Sequence, residues 1–564
     1  MQLFRAGRQT QLSTAALCWA LSCLGTNTAW ADTLPNAGQL QQSIPTDRGT
    51  SPSFNLPSTM PPAMPKTVTS GGARFKVSRF KWVGNTVYAD AVLNGLTADV
   101  VGQSVDFGQL EAIALVIANH YRAAGYVVQT QLPTQDIVNG VVTIEINEAI
   151  FGRVVIDGAG SKRVNAQRIE ETILAFQPRG SKLNANNIDR ALAVLSDLAG
   201  IRVQGHLMQA AESGQTDFIV TTQDLPATSI DATADNAGAR STGTDRVALS
   251  MTVNSPLKMG DQLSANAMAS EGSDYLRAAY RWPIGRTGWT MGLHASRLNY
   301  SARLTTVSGG VSSSLHLTGR ADSVGMESTY PLARRNRYKL DALLAWDQKS
   351  YLNKRDEVVD TRYDTRALSG GLQGQFADAY AGGGFSTWQL MGTGGDLLKK
   401  EGSVTTGRYK KLKYAFNRTQ EITPRWSLVA ALNGQASKMN LDASEKFYLG
   451  GMTGVRAYPS SEGGGSSGQL LNLELRHKFS SQSTWFAFYD HGQVVVDPQG
   501  TNALNTFALK GYGLGYGFVS PQGLNLKAMV ARRLGSNPNP TATGQDQDGS
   551  LVVNRFWLSA SLNF

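Results

Sequence analysis

Residue types that could carry catalysis are present in this chain, but not in the arrangements that catalysis requires. Residues Gly464-Gly465-Ser466-Ser467-Gly468 match the Gly-x-Ser-x-Gly pattern of hydrolases. They lie in a Gly/Ser-rich segment, however, without the strand-turn-helix context of a nucleophile elbow. The six histidines show no paired metal-ligand spacing, and no Walker A motif is present. The sequence therefore predicts a protein that is not an enzyme and holds no cofactor or metal.

A charged residue in a glycine-rich segment is the next candidate for a functional role. The segment from Glu445 to Tyr458 reads EKFYLGGMTGVRAY and contains Arg456, and the later segment from Phe488 to Gly492 reads FYDHG. Taken alone, Arg456 would be an ordinary exposed loop residue whose pairing contributes less than about 1 kcal/mol. Its role therefore depends on the elements that surround it.

Residues 1–31 are typical of a secretory signal. Arg5 and Arg8 form a basic start, an apolar stretch follows, and Ala29-Trp30-Ala31 supplies small residues before a cleavage site. A lipoprotein anchored at Cys23 is an alternative, but the residues before Cys23 lack the usual leucine of a lipobox. Both cysteines, Cys18 and Cys23, lie in this signal. The mature chain is therefore predicted to contain no disulfide and no cysteine metal site.

Charge and hydropathy restrict the class of protein. The formal charge of +10 becomes +8 without Arg5 and Arg8. Because the basic residues are scattered and form no stripe, they favour a solvated polar surface over nucleic-acid binding. Beyond the signal there is no run of 18 or more apolar residues, so no transmembrane helix is predicted. A membrane location would require a closed β-barrel.

A linker and two small α+β units are predicted before the C-terminal region. Residues 32–72 are rich in Pro, Ser, Thr and Gln, which is typical of a linker. Within them, residues 36–43 could form a short helix, which is marginal without a surface to dock on. Residues 73–150 and 151–225 each show strands flanking amphipathic helices, and neither unit contains a catalytic set.

The strongest local pattern in the first unit is a helix that begins at the Asp106 cap and ends at Gly125. Its apolar residues recur at three- and four-residue spacing and predict one buried face: Leu110, Ile113, Ile117 and Tyr121. A strand from Phe75 to Val83 is predicted before it. In the second unit, Gly200 is predicted to cap the last helix.

Residues 226–564 show the alternation of a membrane β-barrel. In residues 471–476 every second residue is leucine and the others are polar or charged. Residues 556–564 and 338–346 show a similar outward face. Eleven such segments precede a long loop at 440–467 and five follow it, which predicts a mainly β fold with a sixteen-stranded antiparallel transmembrane barrel. A soluble sandwich or propeller is the alternative, but it would not need charged inner faces throughout.

One predicted strand, from Gly511 to Phe518, has four glycines on one face and bulky residues on the other. Bare backbone on the inner wall would leave space for a plug or loop to approach. A strongly bent strand would explain the glycines equally well.

The order and spacing of these segments resemble the two-partner secretion transporters (the TpsB family, which includes the haemolysin and filamentous haemagglutinin secretion proteins). In that family a Val-Arg-Gly-Tyr/Phe tip follows a Leu-Gly-Gly base in the sixth extracellular loop. A Phe-x-Asp-x-Gly motif lies in the next strand. Two POTRA-like units and a C-terminal phenylalanine extend the resemblance over nearly the whole mature chain. Each motif is weak by itself, but together they are specific.

The resemblance implies that the loop folds back into the barrel and that its arginine contacts the aspartate of the inner wall. The matching positions are Val455, Arg456, Ala457 and Tyr458 at the loop tip, Phe488, Asp490 and Gly492 on the inner wall, and Phe564 as a barrel-assembly signal. A planar guanidinium can form two charge-assisted bonds to one carboxylate. Ala457 replaces the family's glycine, which disfavours a positive φ, so the tip is either slightly reshaped or tolerates alanine. The family also has an N-terminal plug helix, for which residues 36–43 are the candidate.

The function that the resemblance implies is protein export across the outer membrane, with the POTRA domains in the periplasm. The expected partners are a TpsA-like secreted exoprotein with an N-terminal secretion domain, outer-membrane lipid, and the barrel-assembly machinery and periplasmic chaperones during biogenesis. Export is expected to need no ATP. An outer-membrane assembly factor is the alternative, although such factors resemble longer POTRA arrays. A passive porin or scaffold is a second alternative.

Overall fold

The structure is a computed structural model that describes residues 36–44, 74–212, 214–308, 311–335, 337–402, 405–500, 505–541 and 543–564. The predicted signal and most of the predicted linker lie outside these ranges. Within them, two small α+β units precede a closed barrel. No helix in the described part of the chain is both long and apolar enough to cross a membrane.

The elements that precede the barrel are short. In chain order they are α1 (Ala37–Gln42), β1 (Phe75–Lys76), β2 (Arg79–Val83), α2 (Asp90–Leu96), β3 (Ser104–Val105), α3 (Phe107–Ala123), β4 (Val128–Gln131), β5 (Val141–Glu148), β6 (Ile150–Ile156), α4 (Ala166–Phe176), α5 (Ala185–Ser196), β7 (Ile201–Gln209) and β8 (Gln215–Asp224). The first unit has the strand order β2-β5-β4 and the second has the order β6-β8-β7.

Helix α3 covers the sheet of the first unit. It begins at a capping box in which Asp106 and Gln109 bond each other's backbone N–H groups. The four residues of its predicted apolar face are all buried, as the spacing indicates. The single strand predicted from Phe75 to Val83 is wrong. It divides into β1 and β2, because the amide of Val77 donates to Gln103 and that of Ser78 donates to Gly140.

The second unit differs from the prediction at the end of α5. Gly200 does not cap this helix, which ends at Ser196 with Asp197 as its cap. Gly200 instead turns the chain into β7 with a φ of +88°, a conformation that glycine adopts at little cost.

Both junctions of the second unit are held by direct bonds. Toward the first unit, the amide of Val127 donates to Leu183 at 3.1 Å. Toward the barrel, Arg286 Nε donates to Glu171 at 2.7 Å and Arg334 Nε donates to Asp197 at 2.7 Å. The second unit is therefore fixed against the turns at one end of the barrel.

The barrel closes through pairing of its first and last strands. The strands are β9 (Thr228–Asp235), β10 (Arg246–Asn254), β11 (Gln262–Ser270), β12 (Ser273–Ile284), β13 (Trp289–Ser308), β14 (Val311–Arg335), β15 (Tyr338–Arg355), β16 (Val358–Asp378), β17 (Gly384–Glu401), β18 (Gly407–Thr423), β19 (Trp426–Ala436), β20 (Ser467–Lys478), β21 (Ser483–Val495), β22 (Thr506–Val519), β23 (Leu524–Arg533) and β24 (Asn554–Asn563). The described strands form one closed sixteen-stranded antiparallel ring. Eleven strands precede the long loop and five follow it, which confirms the predicted fold and excludes a sandwich or propeller.

Alternation along the strands separates the outer wall from the lumen. In β24, Phe556 is 50% exposed whereas its neighbour Trp557 is 3% exposed. In β20, Leu475 points outward while Glu474 is buried inside. The apolar residues thus form the outer face, as a lipid environment requires, and the polar residues line the lumen.

Candidate functional site

The loop between β19 and β20, residues 437–466, folds back into the barrel. Its two arms pair at Phe447 and Gly465, which exchange backbone hydrogen bonds of 2.8 Å in both directions. At its tip, the amide of Tyr458 donates to the carbonyl of Val455 at 3.0 Å. All four tip residues, Val455 to Tyr458, are at most 3% exposed. The tip is therefore packed inside the barrel and not displayed to solvent.

Arg456 binds the carboxylate of Asp490 through three donors. Its Nε and backbone N–H donate to Oδ2 at 2.9 and 3.0 Å, and its Nη2 donates to Oδ1 at 2.6 Å. Asp490 is fully buried and also accepts from Asn472 at 2.8 Å. Such a charge-assisted fork fixes both the position and the orientation of the guanidinium.

Three further contacts of Arg456 are absent from the sequence prediction. Glu474 accepts from Nη1 at 2.5 Å, the Phe488 ring lies 3.6 Å from the guanidinium carbon, and Trp557 Nε1 donates to the carbonyl of Arg456 at 2.7 Å. The sequence indicates only that Glu474 and Trp557 face the lumen, because both occupy inward positions of alternating strands. The site thus joins the loop to three strands, β20, β21 and β24.

Small residues on the inner wall make room for the loop. A Cβ at Gly492 would lie 2.7 Å from Leu449, and a Cβ at Gly511 would lie 2.6 Å from the Cβ of Ala457. The glycine face of β22 therefore lies against the loop and the rings of Phe486 and Phe488. Ala457 is not among the described residues with positive φ, so alanine fits the tip without backbone strain.

The loop between β23 and β24 contacts the other side of the tip. The guanidinium of Arg533 lies 4.7 Å from the Tyr458 ring centre and is paired with the buried Asp546. Glu462, on the returning arm of the long loop, accepts from Asn537 at 2.9 Å and from the amide of Gln547 at 2.8 Å. The long loop is thereby held from two directions.

Helix α1 also lies inside the barrel. The amide of Ala37 donates to Asn353 at 3.0 Å, and Tyr351 donates to Gln41 at 3.0 Å. Gly38 packs against Ser444 of the long loop so closely that a Cβ there would lie 2.5 Å from the Ser444 Cβ. The helix and the first arm of the loop therefore occupy the lumen together.

The arm that contacts α1 is bound to the wall by lysines. Lys411 Nζ lies 2.5 Å from Glu445 and also donates to the Glu445 carbonyl at 3.0 Å. Lys349 Nζ lies 3.5 Å from the same carboxylate. Tyr363 donates to Asp442 at 2.9 Å. These contacts connect the base of the loop to β15, β16 and β18.

Phe564 lies at the seam of the barrel, away from the loop. The residue is 69% exposed, and its amide donates to the carbonyl of Ile230 of β9 at 2.9 Å. The seam itself pairs only Ser559–Asn563 with Asp231–Asp235. Phe564 thus directly follows β24, the strand that closes the ring.

Outside the barrel, a buried carboxylate connects the two small units. Glu148 accepts from the amides of Thr86 and Val87 at 2.8 and 2.9 Å and from Tyr121 at 2.9 Å. Its partner across the junction is Lys182, at 3.1 Å. Burial alone would raise the pKa of Glu148, but the hydrogen bonds from Thr86 and Val87 and the Lys182 ammonium outweigh it and lower the pKa to about 2.

The family comparison matches most of the chain. Residues 214–518 match the family model of the haemolysin secretion/activation protein ShlB/FhaC/HecB, and residues 75–149 match the ShlB-type POTRA domain. The heme/hemopexin transporter protein HuxB of Haemophilus influenzae is 22% identical over 485 residues, which cover 82% of each chain. The outer membrane transporter CdiB of Escherichia coli is 23% identical over 440 residues, which cover 75% of this chain and 72% of CdiB.

Solved structures share the fold. CdiB from Escherichia coli superposes with a TM-score of 0.73 at 19% identity, covering 94% of this chain and 95% of CdiB. CdiB from Acinetobacter baumannii superposes with a TM-score of 0.66 at 16% identity and 95% coverage of both chains. The chain therefore belongs to the ShlB/FhaC/HecB haemolysin secretion/activation family of two-partner secretion outer-membrane transporters.

Proposed function

We propose that this protein exports a secreted protein partner through the lumen of its barrel. The observation that carries the proposal is the bond network that holds the Arg456 loop inside the barrel, beside helix α1. Both elements occupy the path and both are held by side-chain contacts, so they can be displaced without unfolding the wall. A passive pore has no need of a buried arginine between two carboxylates, which is costly to desolvate.

The path begins at the small units. An extended, unfolded exoprotein of the TpsA type, with an N-terminal secretion domain, docks along a sheet edge of a POTRA unit, where main-chain bonds give affinity and side-chain pockets give selectivity. It then enters the barrel as α1 and the loop move aside. Folding on the far side makes return unfavourable, which gives the transport a direction without ATP.

This proposal assigns the barrel to the outer membrane and the small units to the periplasm. The apolar outer wall supports contact with lipid. Phe564, exposed beside the closing seam, is suited to recognition by the barrel-assembly machinery after periplasmic chaperones deliver the chain. Neither the export step nor these partners involves nucleic acid.

Quantitative proteomics of the culture medium and of the outer membrane tests the proposal. We expect deletion of the gene to remove one large protein from the medium, complementation to restore it, and the other outer-membrane barrels to remain at normal abundance. A general loss of barrels would favour an assembly factor. An unchanged medium under conditions in which the protein is expressed would contradict export.

A further inference from the structure

Three cations project outward from the two strands that flank β17 in the barrel. Arg366 lies on β16, and Arg408 and Lys410 lie on β18; all three are exposed. They point away from the lumen, because their chain neighbours Thr365 and Tyr409 are buried on the inner side. Their side chains are therefore available to a partner that surrounds the barrel.

The three cations lie directly beyond the apolar face of these strands. On β16 the outward residues from Leu368 to Phe376 span about nine residues, close to the ~9–11 that cross a bilayer core, and Arg366 is the next outward position. On β18, Lys410 is the next outward position beyond Leu412, which is 42% exposed. This height is the boundary between acyl chains and lipid head groups.

The cations lie at the end of the barrel that is far from the small units. The second unit contacts the opposite turns, where the amide of Asn165 donates to Lys258 and Arg168 donates to Gly285. Arg408 and Lys410 follow directly after the turn that joins β17 to β18, at the other end. In the proposed orientation this end faces the outside of the cell.

The strand register places the three cations in one patch. Arg366 pairs with Asp396 of β17, and Asp396 pairs with Arg408 of β18. Lys410 lies opposite Gly394 in the adjacent outward row. Asp396 thus lies between Arg366 and Arg408, and Arg366 also interacts electrostatically with Asp364. Within the described part of the chain, none of the three cations lies within ion-pair distance of a carboxylate. A nearby outward lysine, Lys400, does have an ion-pair partner, since its Nζ lies 2.5 Å from Asp364.

We propose that this cationic patch, Arg366, Arg408 and Lys410, binds the phosphate groups of an anionic glycolipid in the outer leaflet. Guanidinium groups form bidentate bonds with phosphate, and cations at a membrane surface attract anionic head groups. Opposite Lys410 and in the next outward row, Gly394 and Gly392 lack side chains, and a Cβ at Gly394 would meet nothing within 4 Å. An acyl chain of the same lipid fits along this bare part of the wall.

Lipid binding by the purified full-length protein tests the proposal. The probe is diphosphoryl lipid A in detergent, measured by native mass spectrometry, with dephosphorylated lipid A and inorganic phosphate as comparisons. The test variant is Arg408→Ser/Lys410→Ser. The control is Lys510→Ser/Arg532→Ser, which removes two exposed outward cations from β22 and β23 on another part of the wall.

We expect the test variant to bind diphosphoryl lipid A about tenfold more weakly, because two head-group contacts are lost, and the control variant to bind like the wild type. Dephosphorylated lipid should bind both forms weakly and equally. Equal binding of the diphosphoryl lipid to wild type and test variant would overturn the proposal. Full competition by inorganic phosphate would also overturn it, because the site would then recognise free phosphate.

The proposal depends on the proposed orientation in the outer membrane, and the two can fail separately. A Thr406→Cys variant, in the turn beside Arg408, should react with a membrane-impermeant maleimide on intact cells. If this label fails, the orientation is wrong. If it succeeds and the lipid assay shows no difference, only the lipid proposal is wrong.

Discussion

Arg456 is a buried cation between two carboxylates. It is 3% exposed, and its guanidinium contacts Asp490 and Glu474. Glu474 is shared with Arg476, at 2.6 Å. Removing one partner of such a network leaves an uncompensated buried charge, a change that costs about 3–5 kcal/mol. We infer that this network keeps the loop in the defined position from which export starts.

Substitution of Arg456 therefore tests the network. We expect Arg456→Ala to reduce the exported partner at least tenfold at normal barrel abundance, because the tip loses its bonds to both carboxylates. Arg456→Lys should also export little of the partner, because one ammonium cannot form both the planar fork to Asp490 and the bond to Glu474. The measurement is an immunoblot of medium and membrane fractions. Arg532→Ala, an exposed outward arginine, is the control, and normal export by Arg456→Ala would refute the role of the network.

Glu148 makes the junction of the small units sensitive to acid. Its pKa in the folded protein, about 2, lies below its ordinary value of 4.5. The bonded carboxylate therefore stabilises the junction above pH 4.5, and this stabilisation decreases as the pH falls toward 2. The difference between the two pKa values corresponds to about 3 kcal/mol of stabilisation at neutral pH.

Urea unfolding checks this prediction through Trp82, the one tryptophan between residues 32 and 225. At pH 7 we expect Glu148→Gln to unfold its small units at lower urea than the wild type. At pH 3 the difference should be smaller. Glu111→Gln, at an exposed position on α3, is the control. If the urea concentrations at which Glu148→Gln and the wild type unfold differ by the same amount at both pH values, the stabilising role of the Glu148 carboxylate is contradicted.

At the scale of elements, β22 and the long loop fit each other through Gly511 and Ala457. We expect Gly511→Ala to push the tip away from the wall, because the new Cβ would lie 2.6 Å from the Ala457 Cβ. The double variant Gly511→Ala/Ala457→Gly should restore the fit. Gly517→Ala is the matched control, since a Cβ there meets only Thr484 at 3.9 Å.

Proteolysis of the purified protein at the loop measures this fit. Gly511→Ala should expose the segment around Tyr458 to cleavage and reduce export, whereas the double variant and Gly517→Ala should behave like the wild type. If Ala457→Gly gives no rescue, the loop is not held by this contact.

The sequence predicted the strands well because each strand carries its own pattern. Alternation in residues 471–476 and 556–564 is set by lipid on one side and the lumen on the other, so it can be read locally. The contacts of Glu474 and Trp557 with Arg456 could not be predicted from the sequence, because they depend on the register of strands that are distant in sequence. The break at Val77 could not be predicted for a similar reason, since its partner Gln103 lies in another segment.

At the scale of the whole molecule, the lumen is closed by two independent pieces of chain. Helix α1 comes from the N-terminal side of the small units, and the loop comes from between β19 and β20. They meet where Gly38 contacts Ser444, and Gln42 donates to the carbonyl of Ala443 at 3.1 Å. Displacement of either piece therefore removes contacts that hold the other. In the proposed function, this would couple entry of a substrate at the small units to opening of the loop.

The central claim, passage of a protein partner through the lumen, can be tested by photo-crosslinking during export. Lys413 lies in the inward register with the buried Lys411, whereas the adjacent Leu412 points outward and is 42% exposed. With a photo-crosslinking amino acid at 413, we expect an adduct between this protein and the exported partner, and with the same group at 412 we expect none. Equal adducts at the two positions, no adduct at 413 while export proceeds, or adducts at 413 with other membrane barrels would contradict it.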